Sequence, residues 1–439
     1  MSFNHLSGRK LSAALLLFII AGIFAPIHQL AALAKSPVTI TVAMAAGYHV
    51  DALKAILKYW EKEHPDIKVR IMAFGYHDLY EKIVIDMREG RGSYDVIEID
   101  DPWMPEFCAA GWLANIDELV KKAGITINYS DFVDTALWVG RCPYKTGHQY
   151  ALPECGNVEL MAYRKDLFKK YGLPCPPKTW SEVLKAAEVI SKNEPGIYGT
   201  VMRGLRGNPI VSNFLPVFWA FGARIIDEKG VPRVNSAEAV EALKMWLALA
   251  KYSPPGMATF SSDQVKAYLY EGTAAIATEV WPGWIGKLDD PKVSKVVGKV
   301  DICVPPGEKT HPSPMIGVWL FGIPHSSRHK IEALKFIVFA TSARMQKIKA
   351  LETGYPPTRK SVYLDPEVVK KYRWYPVQLK ALMTSRPRPR VPVWAEIESV
   401  LGLYLSKALV GKMSPEEALN AANAEILEIL KEAGIYKGG

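Results

Sequence analysis

Hydrophobic positions near the start of the chain change period in a regular way. Residues 38–44 form a β-rich run. Val50, Leu53, Ile56, Leu57 and Trp60 then recur at helical spacing, and Ile67, Val69 and Ile71 alternate as a half-buried strand does. A second amphipathic stretch covers about 77–88, and 95–99 supplies a third extended run. This β-α-β-α-β order predicts a parallel sheet wrapped by helices, and hence an α/β fold.

A second series begins near Gln149. Residues 150–153 and 158–164 read as extended, and 165–171 as a short helix stopped by Gly172. Thr179-Trp-Ser-Glu182 is a capping box: Thr179 can accept from the third amide of the helix while Glu182 reaches back. Further helices are predicted over 237–251 and 262–270, strands over 274–279 and 317–324, a helix over 330–341, and a last helical region over 415–431. The chain shows no internal repeat, and no Pro/Gly/Ser linker divides the two series. Two lobes that exchange segments more than once are therefore expected. Such crossings make a hinge, because few residues then absorb a domain rotation.

Composition removes several classes. The 439 residues are 49% hydrophobic and 23% charged, which is ordinary for folded domains and long enough for two or three of them. Only residues 11–27 approach the length of a membrane span. They follow Arg9-Lys10 and precede Ala32-Leu33-Ala34, the three-part pattern of a secretory leader. The pattern fits cleavage after Ala34, or an uncleaved signal-anchor; in both cases residues 35–439 act outside the cytoplasmic membrane. No cysteine follows the apolar run, which disfavours a lipoprotein anchor.

The net charge of +9 becomes +7 without Arg9 and Lys10, the only charged residues of the leader. It is spread out, apart from Arg386-Pro-Arg388-Pro-Arg390, and no nucleic-acid reader motif accompanies it. The excess reads as surface solubility. Five cysteines, at 108, 142, 155, 175 and 303, include no C-x-x-C pair, so zinc is disfavoured. Cys142 and Cys155 flank a turn-like Tyr144-Lys145-Thr146-Gly147; a disulfide between neighbouring strand ends and two buried free thiols are both compatible with that spacing.

Signatures of nucleophilic, metalloprotease and nucleotide-binding chemistry are absent: there is no G-x-S-x-G, H-E-x-x-H, G-x-x-x-x-G-K-[ST] or G-x-G-x-x-G. A glycosidase needs only two carboxylates brought together by folding, for which Asp101 and Glu279 would serve on paper. The placement of tryptophan is more informative. Trp60 and Trp246 fit helix core faces, and Trp180 sits in a helix first turn. Trp103 in Asp101-Pro-Trp103-Met-Pro105, Trp281 and Trp284 in Trp281-Pro-Gly-Trp284, and Trp319 in Gly317-Val-Trp319 instead follow or border strands at breaker-rich positions. Loops at the carboxyl ends of parallel strands face the ligand crevice. An indole there suits the C–H face of a sugar ring, while charged groups take its hydroxyls. Each hydroxyl desolvated without a partner costs about 1–3 kcal/mol, and a charge-assisted hydrogen bond returns about 1.5–3 kcal/mol.

At these residues the chain resembles the family 1 extracellular solute-binding proteins, substrate-capturing subunits of ABC sugar importers. The matching pieces, in the family's order, are Tyr94-Asp-Val-Ile-Glu-Ile-Asp-Asp101-Pro-Trp103, Ala151-Leu-Pro153 with Gly156-Asn157, Tyr163-Arg-Lys-Asp-Leu-Phe168, Pro177-Lys-Thr-Trp180, Gly272-Thr-Ala-Ala-Ile with Trp281-Pro-Gly, and Gly354-Tyr-Pro-Pro-Thr-Arg359. The resemblance implies a two-lobed α/β fold of the periplasmic-binding-protein type II class with multiple interlobe crossings. It sets lobe one at 35–148 and 321–355 and lobe two at 149–320 and 356–439. It also implies a monomer that takes one carbohydrate, uses no cofactor or metal, catalyses nothing, binds no nucleic acid, and presents its closed form to membrane permease subunits of an ABC transporter, in the periplasm or at the cell surface.

By the same resemblance Asp101 and Trp103 project from lobe one. Asn157, Trp281 and Trp319 come from the hinge or lobe two, with Tyr355 and Arg359 near the last crossing. Tyr48 and Tyr76 stand at crevice height after the first two strands, and Arg203, with Arg206, is placed at the cleft or in a solvated loop. Cys155 directly before Gly156-Asn157, and Val318 where relatives often carry a second glycine, depart from the pattern. Two rivals remain: a binding protein for a phosphate ester or other polar solute, favoured if Arg203 and Arg206 converge in the cleft, and an exported polysaccharide-active hydrolase.

Overall fold

The computed structural model describes residues 37–438. The leader lies outside them, and among the described residues no helix is long and apolar enough to cross a membrane. Strand β1 is Val38–Ala45, β2 Ile67–Phe74, β3 Val96–Asp100, β4 Arg141–Cys142, β5 His148–Gln149, β6 Ala151–Cys155, β7 Leu160–Arg164, β8 Tyr198–Val201, β9 Ala274–Val280, β10 Val300–Cys303 and β11 Trp319–Gly322. They form a five-stranded sheet in the order β2-β1-β3-β11-β6, a four-stranded sheet in the order β10-β7-β9-β8, and the short hairpin β4-β5. β1 runs parallel to β2 and β3, and β8 parallel to β9, as the helical crossovers require. β11 is antiparallel to both of its neighbours, because the chain enters it from the other sheet.

The expected elements recur within a few residues. The first helix is Tyr48–Glu63; Leu53, Ile56 and Trp60 on its predicted face are buried, and the Trp60 indole packs against Phe336, with ring centroids 5.1 Å apart. Thr179 caps Trp180–Asn193 by accepting from the Glu182 amide, but the Glu182 carboxylate accepts from the Lys178 amide instead of closing the box on Thr179. Asn208–Ala220 is a helix with no counterpart in the periodicity reading. It is buried on every side from Ile210 onward, so it lacks the polar face that gives a helix its period.

The two sheets are joined by segments that cross side by side. The Gly156 amide donates to Pro356, the Gly317 amide to Asn157, the Glu159 amide to Met315 and the Ile316 amide to Arg386. Gly156 is required there, since a Cβ would stand 1.9 Å from the Pro357 carbonyl oxygen. The boundaries expected at 148/149 and 320/321 cut through the first sheet, because β6 and all of β11 belong to it. The crossing from the first sheet to the second falls between β6 and β7.

The cysteine expectation is corrected as well. Cys142 is bonded to Cys108, 34 residues earlier in the chain, and Cys155 is a buried free thiol. The hairpin pairs Cys142 with His148, and Cys155 sits in β6 opposite Trp319, so the two are not neighbouring strand ends. Replacing Cys108 and Cys142 together by serine is expected to lower unfolding stability by about 2–4 kcal/mol, read from urea midpoints with and without reductant.

Candidate binding cleft

A cavity of about 200 Å3 opens between the two sheets. One wall comes from the first sheet. Tyr48 and His49 begin the helix after β1, Tyr76 begins the helix after β2, Asp100 ends β3, and Trp319 opens β11 directly opposite Asp100. The other wall carries Arg203 after β8, Asn208 at a helix start, and Trp281 and Trp284 after β9. Asn157, Met315 and Gly317 of the crossing segments, with Arg388, complete it. Every strand-derived group on the parallel parts of both sheets thus stands at a carboxyl end, where a crevice must lie.

The aromatic lining is held by rings behind it. Trp319 packs edge-on against His49, Tyr76 and Trp103, at centroid distances of 4.9, 5.9 and 5.7 Å. Trp281 is positioned from two sides. Its Nε1 donates to Glu279 Oε1 at 2.8 Å, and its ring lies so near Gly317 that a Cβ there would come within 2.4 Å of it. The Arg203 guanidinium stacks on Trp284, 5.3 Å from the ring centroid.

The charges in the cleft are already matched. Arg203 binds Glu279 through two nitrogens, Nε to Oε2 at 2.9 Å and Nη2 to Oε1, and Ser212 and Asn213 donate to the same carboxylate at 3.1 Å each. Arg388 Nη2 donates to Asp101 Oδ1 at 2.7 Å and lies 3.6 Å from Asp100 Oδ1. Tyr76 donates its hydroxyl hydrogen to Asp100 Oδ2 at 2.9 Å. Near Glu279, Glu159 is fully buried with neither carboxylate oxygen hydrogen-bonded; burial, and then Glu279, push it well above the usual carboxylate range.

Asp100 is the cleft carboxylate with a shifted titration near neutrality. Burial pushes it up to about 7; Asp101 and Glu398 add to that, while Arg388 and the Tyr76 hydroxyl oppose it. Because the folded value is raised, the folded protein keeps this proton between about pH 4 and 7 where the unfolded chain loses it. Stability from this group is therefore full below that window and declines as pH rises through it. Asp100→Asn is expected to flatten that decline, measured as Tm against pH.

Behind Tyr48 and His49 lies a buried polar network. His49 Nδ1 contacts Glu98 Oε1 at 2.6 Å and the Tyr355 hydroxyl at 2.8 Å; Tyr355 donates to Glu154 Oε1 at 2.6 Å, and Lys349 pairs with Glu154. Ligand atoms of His49, Glu98 and Glu154 lie within 4.8 Å of one another, a spacing that could hold a metal. The Lys349 ammonium already supplies positive charge there.

Six of the ten residues singled out in the sequence line the cleft: Tyr48, Tyr76, Asn157, Arg203, Trp281 and Trp319. Trp103 stands one layer back, against Tyr76 and Trp319. Asp101 is fully buried, consumed by Arg388 and Arg390, and its neighbour Asp100 faces the cleft instead. Tyr355 belongs to the His49 network. Arg359 lies away from the cavity, over the Phe132 ring and bonded to the carbonyls of Thr341 and Asn128. Arg206 is exposed and does not line it. His49, Asp100, Asn208 and Arg388 were not foreseen; Arg388 lies in the basic cluster read as surface charge, although it is only 3% exposed.

The chain is similar to known proteins over nearly all of its described length. A Pseudomonas aeruginosa mannitol-binding protein is 28% identical over 436 residues, covering 92% of this chain and 96% of its own. A maltose-bound T. maritima protein superposes with a TM-score of 0.80 at 30% identity, covering 90% of this chain and all of the other. An Agrobacterium radiobacter K84 ABC transporter solute-binding protein in complex with ribitol gives a TM-score of 0.81 at 26% identity, over 90% of this chain and 99% of the other. The solved neighbours share the two-lobed α/β architecture. Residues 46–347 match the family model for bacterial extracellular solute-binding proteins, and the chain belongs to that family.

Proposed function

We propose that this protein captures one neutral polyol or monosaccharide in the cleft, closes around it, and delivers it unchanged to the permease of an ABC importer outside the cytoplasmic membrane. The observation that carries this reading is the cavity: about 200 Å3, lined from both sheets by indoles and by charges matched to one another. Sites for drug-sized ligands are roughly 300–1,000 Å3, so this volume favours a single small solute over a chain of two or three rings. Relatives named for mannitol and solved with ribitol or maltose bound support the same chemistry.

Both rival readings lose their supporting features. Arg203 is neutralised by Glu279 and Arg206 does not line the cavity, so no free cation pair meets an anionic solute. Asp101 lies beneath the cleft and Glu279 is saturated with donors, so they are not the pair of carboxylates that sugar hydrolysis needs. A ligand touching both walls is bound better when they approach, and this shifts the hinge equilibrium toward closure.

Calorimetric titration with D-mannitol, ribitol, D-glucose, maltose and glycerol 3-phosphate tests the proposal. One neutral polyol or monosaccharide should bind saturably, at least tenfold more tightly than maltose, and be recovered intact. At 100 times its Kd it should add about 2.7 kcal/mol of stability. Binding of glycerol 3-phosphate alone that is lost on Trp281→Ala, and so lies in the cleft, or recovery of cleaved maltose, would overturn it.

A further inference from the structure

On the far side of the 385–390 segment from the cleft lies a groove of about 490 Å3. Its walls carry Lys145, Arg386, Arg388 and Arg390 and, among the described residues, no Asp or Glu. The cations are built into place. The Lys145 ammonium stands 5.0 Å from the Trp138 centroid and 5.4 Å from that of Tyr144, and Arg390 lies 5.6 Å from the Tyr144 centroid. The loop presenting Lys145 is tethered by the Cys108–Cys142 disulfide, and Lys145 adopts φ 69°, a left-handed conformation uncommon for a residue with a side chain.

Compensation is uneven among these cations: Arg388 pairs with Asp101 and lies 3.6 Å from Asp100, whereas Arg390 shares Asp101 and otherwise donates to the carbonyls of Asp101 and Val139, and the Nε of each is buried with no hydrogen-bond partner among the described residues. The Arg386 guanidinium lies 5.2 Å from the Trp219 centroid and pairs with no carboxylate among the described residues. Arg390 is pushed down by burial, with Asp101 opposing the shift. Guanidinium groups offer planar forks matched to phosphoryl oxygens, and several of them around one volume suit a group with three oxygens better than a single carboxylate.

We propose that this groove is a second binding site, outside the cleft, for a phosphoryl oxyanion carried by a soluble phosphate compound or by a phospholipid headgroup. Arg388 borders both cavities, so the test avoids it and uses Lys145→Gln with Arg386→Gln, two exposed side chains absent from the cleft lining.

At fixed ionic strength, inorganic pyrophosphate is titrated calorimetrically into the wild-type chain and the double variant, with sodium chloride as the control. In parallel, both proteins are sedimented with phosphatidylglycerol and phosphatidylcholine vesicles. The expected result is saturable binding in at least one anionic arm that weakens tenfold or more in the double variant, while its Tm without anion stays within a few degrees of wild type. The arm that responds identifies the source of the phosphoryl group. Absence of binding beyond chloride in both arms, or equal binding by the double variant, overturns the site.

Discussion

Glu279→Ala is expected to abolish capture of the neutral solute and to lower stability by about 3–5 kcal/mol, the usual cost of leaving one member of a buried ion pair without its partner. Glu279 is 1% exposed and gathers Arg203, Ser212, Asn213 and the Trp281 indole on one carboxylate. Its removal frees the Arg203 cation beside the cavity and releases Trp281 at the same time. Two readouts separate these effects. Urea unfolding reports the stability loss, and calorimetry on the folded fraction should show loss of polyol binding together with new affinity for inorganic phosphate at the freed guanidinium. Retention of wild-type polyol affinity would mean that the Arg203–Glu279 unit plays no part in the cleft.

The second large effect concerns the indole itself. Trp281→Ala is expected to weaken binding of the same solute by more than tenfold while costing about 1 kcal/mol of stability, because the ring is only partly buried in the free protein. Gly317→Ala offers a different route to the same loss. The indole stays in the sequence, but the new Cβ would meet its ring at 2.4 Å and displace it. Comparable affinity losses in the two variants, with near-wild-type Tm, would place the contribution in the position of the ring. If Trp281→Ala binds normally, the indole is not a contact and the cleft wall that carries Arg203, Trp281 and Trp284 must be redrawn.

The reach of the sequence differs between elements and side chains. Residues 38–99 gave three strands and two helices to within about three residues at each end, because each element leaves a period in the hydrophobic pattern. Trp281, Trp284 and Trp319 were legible as crevice residues because they follow or open strands among helix-breaking neighbours. Arg388 was not. Its partner Asp101 lies 287 positions away, and an arginine between prolines looks solvated until a distant carboxylate is folded against it.

The choice between Asp100 and Asp101 was equally out of reach. Asp100 ends the third strand and Asp101 directly follows it, but the chain turns into a tight helical turn at Asp101–Trp103, which sends Asp101 inward to Arg388 and leaves Asp100 beside Tyr76. The sequence alone determined most of the alternation of strands and helices and which loops border the crevice, since these follow from local periodicity and breaker residues; where the chain crosses between the sheets did not follow from it. Only the tertiary structure decided which charges are spent on one another and which meet the solute. Ion pairing depends on distances of a few ångströms between groups hundreds of residues apart, and no local pattern encodes those distances.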